Sequence, residues 1–321
     1  NLSPQEPVLV RLPNWVGDVC MCLPVLRLLE SSGIPFAVCA RPWARDLLSG
    51  LKLVDFVPAT GKHLDDLKVL RQWRLQHPEV KRALLMPDSL STALIFWLAG
   101  LKSAGYRDDG RSLLLAWPLN KPVPRPHAVQ SWFGLAHQTL QRWGVQPALA
   151  EPEGRLNLPL TQNHRQQATQ MILEAGLGST EFILIAPTAV GRHHGQIKVW
   201  PHFDTLTRAL QAQGHRVVMC PPPAERADAL LAAPTAELLP ALGLGAFCAL
   251  TNLAKLVICN DSGVSHLCAA AGAKQLTLFG VTDPARTAPW TPNSLNLGQN
   301  GHWPAAQDAT QYAQQILSSL G

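Results

Sequence analysis

The sequence predicts an α/β protein of two doubly wound domains, and three observations carry that prediction. Its 321 residues are too many for one ordinary core and suit two domains of roughly 150 residues each. Short β-rich apolar runs alternate with helical stretches, and the alternation occurs twice along the chain. Between the two series lies GVQPALAEPEGRLNLP, rich in proline and glycine and without periodicity, which marks a linker. The expected domains are residues 1–150 and 151–307, with the last helix, 308–321, packing back on the first.

In the first half Val8–Leu12 reads as a strand and Cys20–Glu30 as a helix with an apolar face. Phe36–Ala40, Val54–Pro58 and Ala83–Met86 read as further strands, with helical segments near 43–49 and 63–76. Buried strands with helices between them are the pattern of a parallel sheet covered on both faces. Ser131–Trp143 reads as a helix stopped by Gly144. In the second half Phe182–Ala186, Arg216–Cys220, Leu256–Cys259 and Gln275–Phe279 read as strands. Phe203–Gln213, Ala246–Ala254 and Ser265–Ala271 read as helices, and Asp308 as the N-cap of a last helix reaching Leu320. Doubly wound domains bind ligands at the carboxyl ends of their strands, so a cleft between two such edges is expected.

Composition narrows the class. The chain is 47% hydrophobic and 15% charged, which excludes disorder, coiled coil and collagen-like repetition. Its longest apolar run, Ala93–Leu101, is about half the roughly 20 residues of a membrane-spanning helix. With no secretory leader pattern at the N-terminus, a soluble intracellular protein is expected. Seven cysteines, with no CxxC and no Cys/His zinc spacing, read as core residues. Residues 1–150 hold 17 Lys/Arg against 11 Asp/Glu, a net of +6, whereas residues 151–321 hold 10 against 11, a net of −1. A basic first half suits either an anionic partner or a merely solvated face. Nucleic acid is disfavoured, since no aromatic-interleaved basic stretch is present.

Three segments carry candidate chemistry. RLPNWVGDV follows the first strand, and Asp18 enters the first helix there. It can cap that helix, or accept a proton from an attacking hydroxyl. In NDSGVSHLCAAAG, a strand runs into Asp261, Ser262 and Gly263 before an Ala-rich helix. Helix-start amides, the Ser262 hydroxyl and His266 make an anion site there more attractive than a plain capped turn. In APTAVGRHHGQIKVWP, Thr188, Ala189 and Gly191 form a small-residue loop. Lys198 follows it, either solvent-facing or neutralising a diphosphate leaving group. His193 and His194 lack a third ligand at suitable spacing, so no metal site is expected.

At these segments the sequence resembles glycosyltransferase family 9, the heptosyltransferases of lipopolysaccharide inner-core synthesis, and within it the heptosyltransferase II group. The likeness runs through NWVGD, RPWARDLLSG, MPDSLSTALIFWLAGLKSAGYRDDGRSLLL, IAPTAVG with KVWPHF, NDSGVSHLCAAAG and LFGVTDPARTAPW, in family order over nearly the whole chain. It implies a GT-B fold of two Rossmann-like domains facing a central cleft. The first would bind the acceptor and the second ADP-heptose, for an inverting, metal-independent transfer without cofactor. Carried over by position, Asp18 matches the proposed general base and Lys198 the diphosphate contact. Asp261, Ser262, Gly263 and His266 match the donor motif, Thr188 and Ala189 the loop beneath the phosphates, and Glu225 an acidic position near the nucleoside. The chain departs from the family at Pro187-Thr188-Ala189, usually Pro-Gly-Ala, and at Pro221–Pro223, usually a glycine-containing turn.

The resemblance assigns the basic half to an anionic core oligosaccharide at the membrane surface, with Arg41, Arg45, Lys62, Arg107 and Arg111 as its expected contacts. Each could instead be solvated or paired with Asp46, Asp108 or Asp109. A cytoplasmic protein, peripheral at the inner face of the inner membrane, is implied. A nucleotide-sugar epimerase of GT-B architecture, a non-catalytic sugar-nucleotide binder, and a transferase acting on a protein or a different glycan are the competing readings.

Overall fold

The computed structural model describes residues 1, 3, 6–189, 192–193 and 196–321, so Gly191 and His194 of the sequence reading lie outside the described residues. The chain divides into two compact units, Asn1–Glu153 and Gly154–Gly321.

In chain order the first unit runs β1 (Val8–Arg11), α1 (Val16–Met21), α2 (Leu23–Ser31), β2 (Phe36–Ala40), α3 (Ala44–Leu47) and β3 (Phe56–Pro58). It continues with α4 (His63–Gln76), β4 (Arg82–Leu85), α5 (Leu90–Leu98), β5 (Lys102–Tyr106), a 3-10 helix (Asp109–Leu114), β6 (Trp117–Leu119) and α6 (Ala128–Arg142). Its six strands form one parallel sheet in the order β3-β2-β1-β4-β5-β6. Every residue of β1 and β2 is buried, as central strands of a sheet covered on both faces must be. Leu9, Val57 and Ala83 of the sheet pack with Leu70 and Trp73 of α4 and Ala93 and Phe96 of α5.

The second unit runs α7 (Gln162–Glu174), β7 (Phe182–Ala186), β8 (Arg192–His193), β9 (Gln196–Ile197), α8 (Phe203–Ala212), β10 (Arg216–Met219), α9 (Arg226–Ala232) and β11 (Glu237–Leu238). There follow α10 (Leu244–Leu253), β12 (Leu256–Asn260), α11 (Gly263–Ala271), β13 (Gln275–Phe279), α12 (Pro284–Thr287), β14 (Ser294–Gly298) and α13 (Ala306–Ser319). The main sheet, β11-β10-β7-β12-β13-β14, is parallel and repeats the strand order of the first, while β8 and β9 pair antiparallel. Helix α8 buries Phe203, Leu206, Thr207 and Leu210, one face at helical spacing, and the chain turns at Gly214 with φ +91°.

Two expectations about the last helix are corrected. Ala309, Ala313 and Leu317 of α13 lie in the core of the second unit with Phe203, Leu206 and Leu210, so the helix belongs to that unit and not to the first. Its N-cap is Ala305, and Asp308 sits in the first turn, where a carboxylate still complements the helix dipole. All seven cysteines are buried, which is the packing role read from the sequence.

Candidate active site

An order of 3-2-1-4-5-6 leaves a switch point beside the first strand, where successive connections depart to opposite faces of the sheet and a crevice opens at the carboxyl ends. In the second unit that point lies between β7 and β12. Pro187, Thr188 and Ala189 leave the end of β7, and Asp261, Ser262 and Gly263 leave the end of β12.

The side chains there are tied to one another. The buried Thr188 hydroxyl donates to Glu225 Oε1 at 2.8 Å, which brings the distant PPPAER segment to the β7 loop. Asn260, the last residue of β12, accepts the Trp200 amide on Oδ1 at 2.8 Å and donates from Nδ2 to the Thr188 carbonyl at 3.5 Å. Trp200 is buried and its indole donates to the Pro304 carbonyl at 2.8 Å, so the chain two residues beyond Lys198 is fixed. Asp261 is 5% exposed and accepts the Thr282 hydroxyl. Burial pushes its carboxyl above the usual range, against the Thr282 hydrogen bond and the half-buried Lys198 ammonium, which both favour the charged form. Helix α11 begins at Gly263 behind Ser262, whose amide donates to Ser265 Oγ at 3.4 Å. His266 is buried in the same helix and Ala189 half-buried beside Thr188. Among the described residues, every donor-side residue expected from the sequence therefore lies on the loops of this switch point or on a segment joined to them. Asn260, Trp200 and Thr282, which hold them in place, were not singled out. Their signal is an amide, an indole and a hydroxyl in runs that otherwise read as strand and turn.

The switch point of the first unit lies between β1 and β4. The loop after β1 leads into α1, where Asp18 is half-buried in the first turn, and Trp15 is the N-cap without a side-chain bond. Burial foremost, with the Asp18 charge second, pushes the Cys20 thiol up to about 12.

Beside this edge lies a cavity of about 190 Å³ whose lining includes Arg11, Asn14, Arg41, Gly61, Asp66 and Ser89. Arg11 is 6% exposed, and its Nη2 donates to Asn14 Oδ1 at 2.8 Å. Arg41 Nε donates to the same oxygen at 3.2 Å, so a neutral amide oxygen holds two guanidinium groups together. The Asp66 carboxylate accepts from the Thr60 amide and hydroxyl, both at 2.8 Å, and from the Gly61 amide at 2.9 Å. Two cations against one already loaded carboxylate make a cavity suited to an anion. Ser89 caps α5 at its edge, accepting the Thr92 amide at 3.3 Å.

Of the basic residues expected to meet an acceptor, Arg41 lines this cavity. Lys62 is exposed as the N-cap of α4. Arg45 is exposed with its guanidinium 4.6 Å from the Phe56 ring centroid, and Arg107 is exposed at the end of β5. Arg111 is corrected. It is 1% exposed, donates from Nη1 to the carbonyls of Pro87 (2.7 Å) and Ser89 (3.2 Å), and holds the β4–α5 loop from inside. Arg11 and Asn14 were missed. A lone charge in the apolar run VLVRL is the signal that points to Arg11.

Comparison with known proteins decides the family. The chain matches glycosyltransferase family 9 (heptosyltransferase) over residues 70–316. It belongs to that family. This family 9 member is thus a glycosyltransferase, and it is 28% identical to lipopolysaccharide heptosyltransferase 2 of Salmonella typhimurium, over 88% of this chain and 85% of that protein. It is 27% identical to the Escherichia coli K12 lipopolysaccharide heptosyltransferase 2, with the same coverage. Among solved structures it resembles E. coli ADP-heptose lps heptosyltransferase II, at a TM-score of 0.74 and 24% identity, over 98% of both chains. A family 9 glycosyl transferase from Veillonella parvula superposes at a TM-score of 0.82 with 15% identity, covering 98% of this chain and 97% of that one. These likenesses place the family 9 chain in the GT-B fold class.

Proposed function

We propose that this protein transfers a heptose from ADP-heptose to an anionic lipopolysaccharide inner-core acceptor, inverting the anomeric carbon and without a metal. The observation that carries this reading is the convergence of Thr188, Glu225, Lys198, Asp261 and the start of α11 on one switch point. It occurs in a chain whose curated relatives are named lipopolysaccharide heptosyltransferase 2. A more distant neighbour, at a TM-score of 0.73, is an E. coli heptosyltransferase with ADP-2-deoxy-2-fluoro heptose.

In the proposed reaction an acceptor hydroxyl attacks the anomeric carbon as the bond from that carbon to the diphosphate breaks. Asp18 takes the hydroxyl proton, and ADP departs with the bonding electron pair. Charge grows on the diphosphate, where Lys198, His266 and the amides at the start of α11 stabilise it. Thr188, Ala189 and Glu225 line the nucleotide side. The cavity holding Arg11 and Arg41 takes a carboxylate or phosphate of the acceptor. Work on a lipid-linked acceptor calls for a cytoplasmic protein at the inner face of the membrane.

Two variants test these roles. Asp18→Asn should lower kcat by about 10²–10⁴-fold with ADP binding retained, since general bases contribute on that order. Lys198→Ala should weaken the protection that ADP gives against thermal unfolding. Asp18→Asn within about tenfold of wild type would reject the base assignment, and unchanged chelator-treated enzyme would support metal independence.

A further inference from the structure

Helix α5 lies on the outside of the first unit, yet residues 89–101, SLSTALIFWLAGL, contain no charged side chain. Its inner face is accounted for by Ala93 and Phe96, which are in the core. Its outer face is not. Leu90, Leu94, Trp97 and Leu98 recur at helical spacing and are exposed, Trp97 by 54%. The neighbours extend the patch. Helix α4 turns Leu64 and Leu75 outward, and Leu113 of the 3-10 helix packed beside α5 is 92% exposed. A cluster of exposed apolar side chains on adjoining elements of a folded protein marks a contact surface.

The same face is rimmed by positive charge. Lys68 and Arg71 stand between Leu64 and Leu75 at spacings of three and four along α4, and Arg71 Nε donates to the Leu98 carbonyl at 3.3 Å, which joins the two helices there. Lys102 is exposed at the start of β5, four residues beyond Leu98. Asp65 and Asp66 lie on the other sides of α4, and Asp66 is bound to Thr60 and Gly61. Apolar side chains including a tryptophan, edged by lysine and arginine, fit acyl chains beneath anionic headgroups. A second copy fits poorly, because a two-fold contact through this patch would set its basic rim against itself.

We infer that the outer face of α4, α5 and the 3-10 helix docks on an anionic phospholipid bilayer, with Leu94, Trp97 and Leu98 entering the interface. The inner side of α5 gives this docking a use. Ser91, Thr92, Ile95 and Phe96 line the cavity of Arg11 and Arg41, so that cavity lies about one helix diameter, ~10 Å, from the lipid surface. The link to a lipid-borne acceptor rests on the proposed function, whereas docking itself requires neither substrate.

Co-sedimentation of the full chain with phosphatidylglycerol–phosphatidylethanolamine vesicles tests the inference, with phosphatidylcholine vesicles as the neutral comparison. Wild type should bind the anionic vesicles, less so as salt rises. The L94S/W97S and K68E/K102E pairs should each weaken binding roughly tenfold or more. Turnover of a lipid-free acceptor should be unchanged in both. The charge pair does not touch the core, so it remains informative if L94S/W97S folds poorly. Absent binding of wild type at low salt, equal binding by the charge pair, or a dimer that L94S/W97S dissociates in the absence of vesicle binding would each overturn it. Failure of transfer with intact vesicle binding would instead count against the proposed reaction.

Discussion

The backbone amide of Trp200 donates to the Asn260 side-chain oxygen at 2.8 Å, a bond that ties the segment carrying Lys198 to the strand end carrying Asp261. Because Asn260 also reaches the Thr188 carbonyl, one buried amide group organises three chain segments at the switch point of the second unit. Asn260→Ala should leave the Trp200 amide unpaired and cost about 1–3 kcal/mol of stability. Thermal unfolding should show that loss, and steady-state kinetics a raised donor KM with the acceptor KM unchanged. Unaltered donor kinetics would mean that Lys198 is held without this bond.

Asp261 gives a pH-dependent prediction. Burial raises its carboxyl above the unfolded value, so below both values the group is protonated in each state and costs nothing. As pH rises through the folded value, ionisation is harder in the folded protein, and stability falls. Asp261→Asn should therefore be more stable than wild type at neutral pH, with the gap closing in acid, while transfer declines. Thermal unfolding measured across the acid-to-neutral range distinguishes this from a stabilising carboxylate, which would give the opposite slope.

The Arg11–Arg41 cavity predicts an effect confined to the acceptor. Gly61 has φ +91°, and a Cβ there would stand 2.5 Å from Arg41 Nη1. Gly61→Ala is strained and also displaces that guanidinium. Both Gly61→Ala and Arg41→Ala should raise the acceptor KM, by roughly tenfold or more for a lost charge-assisted bond, with the donor KM unchanged. Equal effects on the two substrates would reject an acceptor role for this cavity.

Arg111 should behave as a structural residue. Its Nε and Nη2 have no hydrogen-bond partner among the described residues, while Nη1 holds two carbonyls of the β4–α5 loop. Arg111→Ala should cost about 2 kcal/mol or more through a cavity and two orphaned carbonyls. Arg111→Met, which fills the space without burying a charge, should cost less. Chemical denaturation checks the order Ala below Met below wild type. A raised acceptor KM in a fully stable Arg111→Met protein would restore the acceptor role expected from sequence.

The candidate residues at the switch point of the second unit are legible because they stand in glycine- and serine-rich turns after apolar strands, where position alone implies a ligand edge. The pairing of Thr188 with Glu225 spans 37 positions and could be anticipated only through the family resemblance. Arg111 was misplaced for a physical reason. GYRDDGR is polar and turn-rich, but a guanidinium on a long stem can reach inward to carbonyls as readily as outward to a ligand. Helix α5 and strands β5 and β6 are not legible in the sequence, because an apolar run followed by short strands lacks a clear period. Helix α13 is legible as an amphipathic helix, but its start and its unit are not, since an amphipathic stripe specifies an apolar partner without naming it.

The measurement that bears most directly on the central claim is mass spectrometry of the products formed from ADP-heptose and a panel of truncated lipopolysaccharide inner-core acceptors. The proposed function predicts one heptosyl unit added to an anionic inner-core acceptor, with one ADP released per transfer. An epimerised donor in the absence of acceptor, or no transfer to any inner-core acceptor, would contradict it.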